Sequence, residues 1–98
     1  MKKVLLDLNP MKTKELIQEY LKFQMDFPDS YGGSLEALLE SLTQLRADTC
    51  VGIFFPEEEP AVGLKEYYRL LRQAFRDAEE ENEHLCVFFN QIEENYEN

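Results

Sequence analysis

Seven consecutive residues near the middle of the chain are uncharged and mostly β-branched or aromatic: Thr49-Cys50-Val51-Gly52-Ile53-Phe54-Phe55. An apolar run of this length, closed by Pro56, is typical of a strand that is buried on both faces. Such strands occur mainly in parallel sheets, where crossover helices cover the strands. The run therefore favours an α/β fold.

The segments on either side supply the other elements of such a fold. Short apolar runs predict strands over residues 3–6 and 85–89. Apolar residues recur at helical spacing after Thr13, after Ser34 and over residues 67–78, and these two polar residues are suitable helix N-caps. The order strand, helix, helix, strand, helix, strand, without a hairpin turn, predicts a small three-stranded parallel sheet covered by helices.

The length and composition of the chain indicate one globular domain. It has 98 residues, of which 44% are hydrophobic, too many for a disordered protein. We expect a single domain over residues 1–90 and a polar acidic tail over residues 91–98. The Glu-rich stretch over residues 56–60, bounded by prolines, is predicted to be a solvated loop without a function of its own.

Charge narrows the class of partner. The formal net charge is −10, which argues against nucleic acid or an anionic membrane as a partner and favours a basic protein. The negative charge is concentrated in residues 26–60, which sum to −7, and in residues 77–98, which sum to −8. A merely solvated acidic surface would give the same totals, so charge alone leaves both interpretations open.

The N-terminus and the cysteines predict where the protein resides. Only three apolar residues separate Lys3 from Asp7, so we expect neither a signal-peptide core nor a transmembrane span, and we expect a cytoplasmic protein. Cys50 and Cys86 each lie in an apolar run and are predicted to be reduced thiols without a disulfide. The chain has no Gly-rich phosphate loop and no metal-ligand spacing, so we expect no cofactor or metal.

The predicted second helix carries two acidic residues on one face. Because a helix advances about 100° per residue, Glu36 and Glu40 lie ~40° apart. Four leucines of the core stripe point roughly the opposite way, and Leu39 lies on the border between the stripe and the acids. Spacing alone leaves two interpretations, a solvated helix face and a surface that binds a cationic partner.

The stretch from Phe27 to Leu42 reads Phe-Pro-Asp-Ser-Tyr-Gly-Gly-Ser-Leu-Glu-Ala-Leu-Leu-Glu-Ser-Leu. It resembles the signature of the barstar family of ribonuclease inhibitors, roughly Pro-x-x-Tyr-Gly-x-Asn-Leu-Asp-Ala-Leu-Trp-Asp-x-Leu. The resemblance extends over nearly the whole chain and includes residues 74–78, which are similar to the last helix of the family. It implies a barstar-like fold and an intracellular inhibitor that is not an enzyme. Such an inhibitor blocks the active site of a basic ribonuclease with helix carboxylates.

The resemblance also implies which residues bind the partner. Glu36 and Glu40 stand where the family has aspartates, Leu39 where it has tryptophan, Ser34 where it has asparagine, and Ser30 where it has an aromatic residue. These departures indicate a target other than barnase itself, either a related basic ribonuclease or another cationic toxin. The full predicted set is Ser30, Tyr31, Gly32, Ser34, Leu35, Glu36, Leu39, Glu40, Gln44 and Asp77.

Two other classes of function compete with inhibition. A hydrolase could use the two glutamates as acid and base, or His84 and Cys86 as base and nucleophile, but one exposed helix face offers little pocket for a substrate. The stronger alternative is an acidic interaction domain, or an immunity protein for a toxin that is not a ribonuclease. In either case we expect a monomer when the protein is free.

Overall fold

The computed structural model describes residues 1–56 and 63–90. Its elements follow the predicted order: β1 (Lys2–Asp7), α1 (Lys14–Met25), α2 (Leu35–Thr43), β2 (Thr49–Phe54), α3 (Leu64–Glu81) and β3 (Leu85–Phe89). The predicted loop over residues 56–60, apart from Pro56, and the predicted tail over residues 91–98 lie outside the described residues. None of the helices in the described ranges has both the length and the apolarity needed to cross a bilayer.

The three strands form a parallel sheet in the order β1-β2-β3, which confirms the α/β prediction. Val51 of the central strand is paired with Val4 on one side and with Val87 on the other. All of β2 except Phe54 is buried, as the uncharged run predicted. Cys50 and Cys86 are register partners on neighbouring strands, and both are reduced thiols.

The helices pack against the face of the sheet that carries the alternate apolar residues of each strand. That core includes Leu6 and Ile53 from the sheet, Leu38 and Leu42 from α2, and Phe75 from α3, each no more than 1% exposed. At 18 residues, α3 is the longest helix in the described ranges, and it extends beyond the predicted residues 67–78 at both ends. It packs against both α2 and β3.

The two predicted N-caps are confirmed, but the apolar face of α1 differs from the sequence pattern. The Thr13 side chain accepts a hydrogen bond from the Leu16 amide at 3.1 Å and so caps α1. Leu16 and Phe23, which belong to the apolar pattern, are 45% and 81% exposed. The polar residue Gln18 is buried in their stead, together with Ile17, Leu21 and Met25.

Candidate functional site

The chain between α1 and α2, residues 27–34, forms a turn that we call the inter-helix turn. It begins after Asp26, whose left-handed backbone ends α1 while its amide donates to the carbonyls of the preceding turn. Phe27 is buried, and its ring lies 4.8 Å from the Tyr31 ring. The Tyr31 amide donates to the Pro28 carbonyl at 2.9 Å. Backbone hydrogen bonds and a pair of aromatic rings therefore help to hold the turn.

The two glycines of the inter-helix turn have different roles. Gly33 adopts a φ of +78°, a left-handed conformation that favours glycine. Gly32 has no left-handed φ, and a Cβ added there would meet nothing within 4 Å. Only Gly33 thus needs the backbone freedom of glycine, whereas Gly32 is an exposed position of the turn.

Ser34, a predicted partner-binding residue, is the N-cap of α2. Its side-chain oxygen accepts a hydrogen bond from the Ala37 amide at 3.0 Å, and its carbonyl accepts from the Leu38 amide. This geometry satisfies one of the amides that a helix start leaves without an internal partner. Ser34 thus fixes where α2 begins, and any contact with a partner would use an oxygen that is already bonded.

The carboxylates of Glu36 and Glu40 are exposed on α2, and we call them the acidic face. Within residues 1–56 and 63–90, neither side chain forms an ion pair or a hydrogen bond with another residue. The buried residues of α2 are Leu38 and Leu42. The acidic face is therefore presented to solvent by a helix that is anchored through its other side.

The remaining predicted residues of α2 border the acidic face. Leu35 and Leu39 are half-buried and pack against the core cluster. Leu39 thus combines partial burial with partial exposure next to Glu40, as expected for a residue at the border of the stripe. Gln44 is exposed and is the C-cap of α2, where its amide donates to Ser41 and Leu42.

The other two predicted residues lie on different elements. Ser30 is exposed on the inter-helix turn. Asp77 is half-buried on α3 and accepts a hydrogen bond from the Gln73 side chain at 2.8 Å. No hydrogen bond or ion pair among the described residues joins Asp77 to α2.

A buried side chain that sequence reasoning missed connects these elements. Gln18 of α1 is 7% exposed, accepts a hydrogen bond from the Tyr31 hydroxyl and donates one to the Tyr67 hydroxyl of α3. We call these three residues the amide bridge. Burial raises the pKa of Tyr31 above its ordinary range, and the neighbouring Tyr67 raises it further. Burial also raises the pKa of Tyr67, although its hydrogen bond with Gln18 opposes the shift.

A cleft of about 520 Å³ opens beside the amide bridge. Its walls include Lys14 of α1, Gly33 and Leu35 around the start of α2, and Tyr67 of α3. The cleft is therefore contiguous with the segment that leads into the acidic face.

Among the described residues, no hydrogen bond joins His84 to Cys86, the pair that a hydrolase would use as base and nucleophile. His84 precedes β3, and its Nδ1 lies 2.8 Å from the Asp48 carboxylate, whereas Cys86 is half-buried within the strand. In the described part of the chain, no group of three or more His, Cys, Asp or Glu residues could hold a metal ion. The two carboxylates of the acidic face lie on one exposed face of α2.

The chain matches a known protein family. The model of the family described as Barstar (barnase inhibitor) matches residues 1–90. A comparison with curated proteins finds no match.

Proposed function

Because the chain belongs to the barstar family, whose members are inhibitors of barnase-type ribonucleases and not enzymes, we propose that it blocks a basic ribonuclease with the acidic face of α2. The proposal depends on the exposure of Glu36 and Glu40 and on their lack of cationic partners within the described residues. Both are exposed, one helical turn apart, and neither is neutralised by a cation of the described chain. Two carboxylates in this state are available to an external cation.

The chemistry of the target fits this surface. A ribonuclease binds phosphate with arginine, lysine and histidine side chains, and a carboxylate can form charge-assisted hydrogen bonds with the same groups. Because Leu38 and Leu42 anchor α2 in the core, the carboxylates start from a fixed helix, which reduces the entropy lost on binding. Inhibition would be steric and electrostatic, without a chemical step.

The other predicted residues would complete the binding surface. Ser30, Tyr31 and Gly32 belong to the inter-helix turn, and Leu39 offers apolar surface beside Glu40. We include Leu35, Gln44 and Asp77 as contacts at the border of the surface. We include Ser34 for its cap, because it determines the direction in which α2 starts.

Three further expectations accompany this proposal. We propose that residues 1–90, which the family model matches, form a single domain. We propose that the protein acts as a monomer in the cytoplasm, where it would protect the cell that makes the ribonuclease. The reduced thiols of Cys50 and Cys86 are consistent with that compartment.

Co-expression tests the proposed function directly. Barnase and a panel of other basic ribonucleases of the barnase type are each expressed in cells with and without this protein, and survival is scored. We expect rescue from at least one ribonuclease, and calorimetry with the purified pair should show a one-to-one complex. If no ribonuclease is neutralised and none binds at micromolar concentration, the proposal is wrong.

The alternative target is a cationic toxin that is not a ribonuclease. It is favoured by the replacements at the family's anchor positions, where Leu39 and Ser30 provide less aromatic surface than the family pattern. Affinity capture from the native cell separates the two targets. A basic nuclease among the captured proteins supports the first, and a basic toxin without nuclease activity supports the second.

A further inference from the structure

We propose that Gln18 is a positioning residue for the ribonuclease-binding surface, because its side chain holds the inter-helix turn in the shape from which α2 begins. This inference rests on the proposed function. It concerns a residue of α1 that lies outside the predicted binding set and that would act through Tyr31 and Tyr67.

The burial of Gln18 requires an explanation. It is the only polar residue among the buried residues of α1, and it is 7% exposed. A buried primary amide without partners destabilises a fold, because it loses its hydrogen bonds with water. Here both ends of the amide have partners, so the group is retained in the core as part of a specific arrangement.

The two ends of the amide are not interchangeable. The carbonyl oxygen can only accept, so the Tyr31 hydroxyl must donate to it. The amide nitrogen can only donate, so the Tyr67 hydroxyl oxygen must accept. An apolar side chain of similar size could fill the space but could not hold either tyrosine. Gln18 therefore specifies the distance between the inter-helix turn and α3.

The inter-helix turn also passes close to Gln18 through its backbone. A Cβ placed on Gly33 would lie 3.7 Å from the Gln18 Cβ, and Gly33 has the left-handed φ described above. The next residue is the N-cap Ser34, and Glu36 follows in the first turn of α2. A shift of the turn away from Gln18 would therefore move the start of the helix that carries the acidic face.

At its other end α2 is held separately. The Asn82 side chain donates to the carbonyls of Leu42 and Leu45. Loss of the amide bridge would leave this attachment intact, so we expect loosening at the start of α2 and little change at its end. Such a local change reduces pre-organisation for binding without unfolding the protein.

The test compares Gln18→Met with Val87→Ala. Methionine keeps most of the volume of glutamine but forms neither hydrogen bond, whereas Val87 is buried in β3, at a distance in sequence from the turn. We expect Gln18→Met to increase hydrogen exchange of the Tyr31 and Ala37 amides at least tenfold relative to Val87→Ala. We expect its dissociation constant for the ribonuclease that the wild type binds best in the panel to rise at least tenfold. Val87→Ala should bind within about threefold of the wild type.

Two further variants separate positioning from a general loss of stability. The carboxylate of Gln18→Glu can still accept from the Tyr31 hydroxyl, and from the Tyr67 hydroxyl once that group rotates to donate, so this variant should bind more tightly than Gln18→Met. Tyr67→Phe removes one partner of Gln18 and, like Gln18→Met, should raise the dissociation constant for the ribonuclease. The effects of Gln18→Met and Tyr67→Phe on affinity should be less than additive, because both break the same bridge. If Gln18→Met does not fold, Tyr67→Phe carries the test alone.

The possible results distinguish failure of the role of Gln18 from failure of the proposed function. If the wild type binds a ribonuclease and both Gln18→Met and Tyr67→Phe bind it equally well, the role of Gln18 is refuted and the proposed function stands. Equal losses of affinity in Gln18→Met, Gln18→Glu and Val87→Ala would also refute this role. Such losses would reflect a general decrease in the stability of the fold and not the loss of the amide bridge. If the wild type binds no ribonuclease of the panel, the proposed function fails, and the role of Gln18 fails with it.

Discussion

The Asn82 side-chain amide donates to the Leu42 backbone carbonyl at 2.9 Å and so joins the end of α3 to the end of α2. The same nitrogen donates to the Leu45 carbonyl, and the Asn82 side-chain oxygen accepts from the His84 amide. A helix leaves its last carbonyls without internal partners, and Asn82 supplies donors for them from another element. Asn82 is only 6% exposed, and both its side-chain nitrogen and its side-chain oxygen have hydrogen-bond partners within the protein.

Asn82→Ala should lower the free energy of unfolding by about 2–4 kcal/mol, because it removes the hydrogen bonds of a buried side chain to the Leu42 and Leu45 carbonyls and to the His84 amide. Urea unfolding followed by circular dichroism measures the change. Asn9→Ala is the control, since Asn9 is exposed and bonds only to Asp7 among the described residues. Equal effects of the two substitutions would contradict the role assigned to Asn82.

Ser34→Ala should lower the free energy of unfolding by about 1 kcal/mol, the usual effect of removing an N-cap. Asparagine is an equally good cap, so Ser34→Asn should leave stability nearly unchanged. Thermal unfolding of the two variants checks the prediction. If both variants lose the same stability, the hydrogen bond from the Ala37 amide does not stabilise α2.

Glu40→Gln should raise the dissociation constant for the ribonuclease at least tenfold, which corresponds to ~1.4 kcal/mol. The free energy of unfolding of this variant should not change, because the Glu40 side chain is exposed and has no partner in the described chain. Isothermal calorimetry measures the affinity. Glu83→Gln removes the same charge from an exposed position elsewhere on the protein and should change affinity less than threefold. Similar losses in both variants would show that only net charge matters.

The association rate with the ribonuclease should fall as salt concentration rises, because the acidic face attracts a cationic partner over long range. The decrease should be steepest as the Debye length shrinks below about 10 Å, near 0.1 M salt. Stopped-flow fluorescence measures the rate, and the dissociation rate serves as the internal control because it should change much less. An association rate that does not respond to salt would exclude electrostatic steering.

Stability should decrease in alkaline solution. The pKa values of Tyr31, Tyr67 and Tyr68 are raised by burial above the ordinary tyrosine value of 10.0. As pH rises past 10, the unfolded chain releases these protons while the folded chain retains them, so the free energy of unfolding falls. Urea unfolding at a series of pH values between about 8 and 11 measures the slope. Tyr31→Phe should flatten it, and an unchanged slope would contradict the burial of this phenol.

The main elements could be predicted because each has a strong local signal. The uncharged run of β2 predicts a buried central strand, and the caps Thr13 and Ser34 mark the starts of two helices. The exposure of Glu36 and Glu40 also followed from their position opposite the leucine stripe. In these segments, local preference and tertiary packing favour the same structure.

The amide bridge could not be predicted because its hydrogen bonds join residues that are distant in sequence. Gln18 stands at i, i+3 and i+7 with Leu21 and Met25, a pattern that places it on the buried face of α1. A polar residue at such a position is ordinarily assigned to the surface, and its partners Tyr31 and Tyr67 are known only from the fold. The exposure of Leu16 and Phe23 escaped prediction for the same reason, because tertiary packing determined which face of α1 is covered.

The parallel arrangement of the sheet has a consequence for the synthesis of the protein. Thr49 on the central strand pairs with Lys2 near the N-terminus and with Leu85 near the end of the described chain. Contacts between such remote segments slow folding relative to local ones. A nascent chain on the ribosome has neither β3 nor Asn82 until residues 82–89 have been translated. The acidic face should therefore become competent to bind only after β3 has been made and has paired with β2. The time needed for folding is then part of the delay before a cell is protected.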